Sequence, residues 1–158
     1  MTRLRFILTA TAIMVLIALA LPAPAVAQAQ EPRDRRAFEA AAEAAAPMAG
    51  RSYAWARCAG LYRSVRLHAG RQALGETRWD YASQVEAALH RRASLERAEE
   101  FGQAWPSARV SAEVDIDALA RLYLARYHAM IAATGRPWSR DPLWAQDNAT
   151  CGGLLDGL

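Results

Sequence analysis

Lysine is absent from this 158-residue chain, and all 19 basic residues are arginine. Cysteine is nearly absent: only Cys58 and Cys151 occur, which excludes a C-x-x-C redox pair and a C-x-x-C-H haem attachment. Valine and isoleucine together number six beyond residue 27, and no segment alternates apolar with polar at period two, so a β-sheet is not expected. A strong charge excess of one sign is also missing. The 19 arginines face 16 carboxylates, for a net charge of +3. That is too balanced for a nucleic-acid footprint, which needs a sustained basic surplus.

The motifs that carry chemistry are equally scarce. There is no H-E-x-x-H, no paired Glu-x-x-His, no G-x-S-x-G elbow and no glycine-rich phosphate loop. His68, His90 and His128 are far apart, and none stands at metal-ligand spacing with a carboxylate or cysteine on one helix. The expectation is no catalytic residue, no cofactor and no metal.

What is present begins with an export signal. Arg3 and Arg5 precede an apolar run over residues 6–21, and Ala25-Val26-Ala27 forms a small-residue cleavage site before Gln28. The run falls short of the roughly 20 residues a bilayer span requires, and Pro22 and Pro24 follow it. Residues 1–27 are therefore expected to be removed, leaving residues 28–158 as one domain without stable membrane insertion. An arginine-only basic set and 37 alanines fit a bacterial gene of high GC content, which with the leader points to the periplasm. Cleavage removes Arg3 and Arg5 and no acid, so the charge falls to +1 (17 arginines minus 16 carboxylates).

In an oxidising compartment an even cysteine count is expected to pair, and two cysteines allow one intramolecular bridge, Cys58 to Cys151.

Periodicity predicts an all-α fold, a small antiparallel bundle of four to five helices tied by that bridge. Residues 33–46 read as a short, frayed helix with Phe38 as its one large apolar residue. A second helix spans about residues 50–69, with Ala54, Cys58, Leu61, Tyr62 and Val65 on its inner stripe. Arg57, Arg63, Arg66 and Arg71 project off that stripe and read as solvated. Thr77-Arg78-Trp79-Asp80 resembles a capped helix start. The third helix then runs to about Glu100 with Tyr81, Val85, Ala88, Arg92 and Leu95 inward. Trp105-Pro106 reads as a break, and a fourth helix follows from residues 111–115 with Ile116, Leu119, Ala120, Tyr123, Tyr127, Met130 and Ile131 as its stripe. Gly135-Arg136-Pro137 stops it, and Asp141-Pro142 opens the last helix, an N-cap followed by proline at N1.

Three polar or aromatic residues stand out as interaction or pocket candidates. Arg92 and Asp147 fall on apolar stripes, where a charge is costly unless paired. The structural expectation is that Arg92 meets Glu96, Glu99 or Asp147; the functional one is a polar pocket between Arg92 and Asp147. Trp138, between proline and serine in a predicted loop, is the candidate exposed contact among five tryptophans. With no catalytic constellation, the leading expectation is a non-enzymatic periplasmic module that binds another envelope protein. The alternatives are a small-ligand carrier with a polar pocket in the bundle, and a stress chaperone.

Overall fold

The computed structural model describes the backbone of residues 23–158 and the side chains of residues 34–158. Of the expected export signal, residues 1–27, residues 1–22 lie outside the described residues. Five helices follow one another: α1 (Ala23–Ala45), a 3-10 turn (Gly50–Ser52), α2 (Tyr53–Leu74), α3 (Glu76–Phe101), α4 (Trp105–Thr134) and α5 (Pro142–Leu155). Among the described residues there is no strand, and no helix is long and apolar enough to cross a membrane. The expected all-α fold is thus what the chain adopts.

Packing radiates from α2, which lies along both α3 and α4, while α1 rests on α4 and α5 on α2. Alanine makes this possible. Seven of the eighteen residues in the main apolar cluster are alanine, so helix axes approach closely where larger side chains would hold them apart. The tightest point is Gly60 of α2. A Cβ there would meet Leu119 Cβ at 3.0 Å, Ala120 N at 3.1 Å and Ile116 O at 3.2 Å. Leu61, Leu89, Ile116, Leu119, Tyr123 and Tyr127 supply the larger volume, each almost fully buried.

The cysteine bridge forms as expected: Cys58 and Cys151 are bonded across 93 positions, tying α5 to α2. Both are buried in the apolar cluster.

Helix ends follow local chemistry, not always as predicted. Gly70 leaves helical geometry at φ 70°, ψ 166°, so the regular part of α2 stops where expected and residues 71–74 add one displaced turn. The third helix starts at Glu76 after Gly75, with no side-chain cap, so Thr77 is a helical residue and not the N-cap predicted for it. Trp105-Pro106 is a start and not a break. Proline without an N–H suits the first helical turn, and α4 therefore begins several residues before the predicted 111–115. At Asp141 the prediction holds: its carboxylate accepts the Leu143 N–H at 3.0 Å. The first helix is longer than predicted and runs upstream through residue 27, consistent with the helix propensity of its alanines and glutamines.

The inner face of α3 differs most. Tyr81 and Leu95 are exposed, whereas Glu86, Glu96 and Arg97 are buried alongside Ala82, Val85, Leu89 and Ala93. Hydrophobicity alone misplaced this face because its neighbours carry charges that pair with it. Ile131 is likewise exposed at the end of the α4 stripe.

Two stability outcomes follow from this packing. Gly60→Val should destabilise by about 1–3 kcal/mol through overpacking, while Gly152→Ala, with nothing within 4 Å, should be neutral or slightly stabilising; urea midpoints compare them. Reduction, or Cys58→Ser with Cys151→Ser, should cost about 4–5 kcal/mol on the chain-entropy account for a loop of this length. Unchanged unfolding under reductant would contradict that role for the bridge.

Candidate functional site

The arginines of α2 are where sequence reasoning and structure part most clearly. Arg57 is not solvated; only 13% of its side chain is exposed. Its guanidinium reaches Asp147 of α5 (Nη2 to Oδ1 3.0 Å and Oδ2 2.9 Å) and Glu39 of α1 (Nη2 to Oε1 2.9 Å), and Nη1 donates to Glu39 as well. Its Nε donates to Tyr123 Oη of α4 at 3.2 Å, and the Tyr123 hydroxyl donates to Asp147. One side chain therefore joins α1, α2, α4 and α5. Phe38 closes the group from α1, with its ring 5.1 Å from Tyr123 and the Arg57 and Arg126 guanidinium groups 5.6 and 5.9 Å from its centroid.

The electrostatics are those of mutual satisfaction. Hydrogen bonding from Arg57 holds the Glu39 carboxyl below its ordinary value. Burial pushes the Tyr123 hydroxyl up, and the adjacent Asp147 carboxylate adds to it, so it stays protonated as a donor. For Arg57 burial opposes the charge, but Glu39, Tyr123 and Asp147 outweigh it and the guanidinium stays charged.

Other pairs repeat the pattern. Arg63 binds Glu86 of α3 (2.8 Å) and Glu113 and Asp117 of α4 (2.8 and 2.5 Å), and Arg66 shares Glu86. Arg97 pairs with Asp115 and donates to the Met48 carbonyl at 2.8 Å, while Arg126 holds Asp141 through two 2.6 Å contacts. Burial raises the Asp115 carboxyl against the opposing pull of Arg97.

Of the predicted site residues, Cys58 and Cys151 come together, but Arg92 and Asp147 do not. Arg92 pairs with Glu96, one of its three expected partners, and lies over the Trp55 ring. Asp147 is held by Arg57 and Tyr123. The cleft that Asp147 lines, about 250 Å³ beside the disulfide, includes Glu39, Tyr53 and Arg57 but not Arg92. Trp138 is half-buried, stacked on Trp144 at 6.1 Å and edge-on to Tyr127 and His68 at 5.4 and 5.6 Å. It is not the freely exposed contact that its loop position suggested, because the loop folds back onto α2 and α4. His128 is exposed, its ring 6.3 Å from that of His68; among the described residues no group of three or more His, Cys, Asp or Glu is arranged to hold a metal ion.

Exposed apolar residues that line a concave surface lie instead on the α3–α4 hairpin. Trp105, Pro106, Arg109, Val110 and Glu113 of α4 face His90 of α3 across a groove of about 610 Å³. It adjoins a recess of about 350 Å³ beside Ala87, Arg91 and Ser94. Trp105 is 40% exposed, Val110 66% and Val114 59%. Pro106, Val110 and Val114 recur at four-residue steps and, with Trp105 at the helix start, form a stripe that no other described element covers. His90 is fixed in the wall, Nδ1 at 3.5 Å from Glu113 and Nε2 at 3.3 Å from the Arg109 carbonyl oxygen. Reading Trp105-Pro106 as a helix start would have placed Pro106, Val110 and Val114 on one face.

Comparison with family models, curated proteins and solved structures gives no match to this chain. Fold and site together define a disulfide-tied, all-α protein with an ionic interior and an uncovered groove.

The Arg57 group makes two predictions. Arg57→Met should destabilise by about 3–5 kcal/mol, since it strands the buried Asp147, and adding Asp147→Leu should recover at least part of that loss; a double variant no better than the single would refute this. Glu39 has a lowered folded-state value, so its stabilisation is full above its ordinary value of 4.5 and is lost as pH falls through the folded value. Asp115 runs the opposite way. Glu39→Gln should therefore be less stable than wild type near pH 6 but lose less on acidification to about pH 3, as read from urea midpoints.

Proposed function

We propose that the chain is exported to the periplasm by residues 1–27 and acts there as a non-enzymatic module that binds another envelope protein. The observation that carries this reading is the exposed stripe of Trp105, Val110 and Val114 beside the α3–α4 groove. Large apolar residues left in water along a concave surface are the usual material of a protein contact, with tryptophan as a frequent anchor. The contact thus moves from Trp138, engaged with Tyr127 and Trp144, to Trp105.

A small-ligand carrier has weaker support. The cleft beside the disulfide is about 250 Å³, and its charged groups, Glu39, Arg57 and Asp147, already bind each other. A ligand drawn to those charges would compete with ion pairs already formed.

Site-specific photo-crosslinking in the periplasm tests the leading reading. A photoreactive residue at Val110 should yield a discrete adduct that Trp105→Ala abolishes, and one at the exposed Asp156 should yield none. Absence of any adduct from Val110, or equal adducts from both positions, would refute the proposed surface.

A further inference from the structure

Charge decides what kind of partner segment the groove takes, given that the α3–α4 hairpin is a protein contact as proposed above. Most arginines at the helix interfaces are consumed: Arg57, Arg63, Arg66, Arg97 and Arg126 each bind a carboxylate. Around the groove the situation reverses. Arg91 and Arg109 are exposed, line the two recesses that meet at Trp105, and neither side chain makes an ion pair among the described residues. The one acid in the groove wall, Glu113, is already bound by Arg63, with its two oxygens 2.8 and 3.1 Å from the guanidinium nitrogens. The free charge at the groove is therefore positive, and it flanks an apolar floor of Trp105, Pro106 and Val110.

We infer that the groove receives an acidic amphipathic helix of the partner protein, with apolar residues on Trp105 and Val110 and carboxylates on Arg91 and Arg109. Antiparallel helices offer a trough parallel to their axes, and a helix laid in it presents anchors at i, i+3, i+4 and i+7. Carboxylates beside those anchors would pair with guanidinium groups in bidentate geometry, at a rim where charge sets orientation and partner choice more than affinity. A flat anionic bilayer fits less well. The surface is concave.

The test uses the full exported chain, immobilised, and a displayed library of helical peptides. The library has leucine fixed at i, i+3, i+4 and i+7 and each flanking position randomised between glutamate and lysine. Selection on wild type should enrich glutamate at the flanking positions at least tenfold. Arg91→Glu with Arg109→Glu should reverse the preference toward lysine. Arg136→Glu with Arg140→Glu changes the net charge equally at exposed positions elsewhere and should keep the glutamate preference. Circular dichroism melts confirm that both variants fold. No charge preference, a lysine preference on wild type, or equal effects of the two double variants would overturn the inference. So would binding to phosphatidylglycerol-containing vesicles that is lost in Arg91→Glu with Arg109→Glu while no peptide is selected. A persistent Val110 crosslink alongside any of these results would leave the protein-contact reading standing and remove only the acidic helix.

Discussion

Arg57 is the point on which the helices depend. A guanidinium offers five donors in a planar fork, and here those donors reach carboxylates or hydroxyls on α1, α4 and α5 from a position on α2. Lysine, a flexible point charge, has no comparable geometry for three partners at once. The absence of lysine from the chain is consistent with this use, although exposed arginines share it. An alanine-rich interior brings helices close but buries little side-chain surface. Interhelical arginine–carboxylate pairs at Arg57, Arg63, Arg97 and Arg126 add directional contacts that alanine cannot make. Buried pairs of this kind contribute modestly to net stability, because desolvation offsets much of the attraction. Their larger effect is on register: a helix shifted by one turn would leave a charge buried without its partner.

The disulfide acts on a different part of the free-energy balance. It constrains the unfolded chain, and adds to the ties of α5 through Leu143, Trp144, Leu154, the Asp141 pair with Arg126, and Asp147 on Arg57 and Tyr123. The bridge and the Arg57 group are neighbours, since Cys58 follows Arg57 and Cys151 lies one turn beyond Asp147. Covalent and ionic restraints thus meet on successive turns in the middle of α5. The α3–α4 hairpin has ionic ties of its own, Arg97 to Asp115 and Arg63 to Glu86 and Glu113, but they do not extend over its groove face. There Trp105 and Val110 stay exposed, and Arg91 and Arg109 make no ion pair among the described residues.

Much of the fold was readable from local chemistry. The stops at Gly70 and Gly135, the Asp141-Pro142 start and the Cys58–Cys151 pairing each depend on a few adjacent residues or on simple counting. The misplaced helix faces share one cause. Hydrophobic periodicity favours apolar residues for the interior, so it turned Tyr81 inward in place of the buried Glu86 and Arg97, and it read Arg57 and Arg63 as solvated. The candidate surface was displaced for a related reason. Trp138 sits in a segment of loop composition, and nothing nearby announces that it will stack on Trp144.

The sequence by itself determined the class of fold, the helix boundaries set by glycine and proline, the single possible disulfide and the near-neutral charge, because each follows from composition or from residues within a turn of one another. Only the tertiary structure decided which arginines are buried, which carboxylates meet them and which face stays open. A charge can be buried only beside its counter-charge. Glu39, Tyr123 and Asp147 come from separate helices, and no local pattern around Arg57 encodes their meeting.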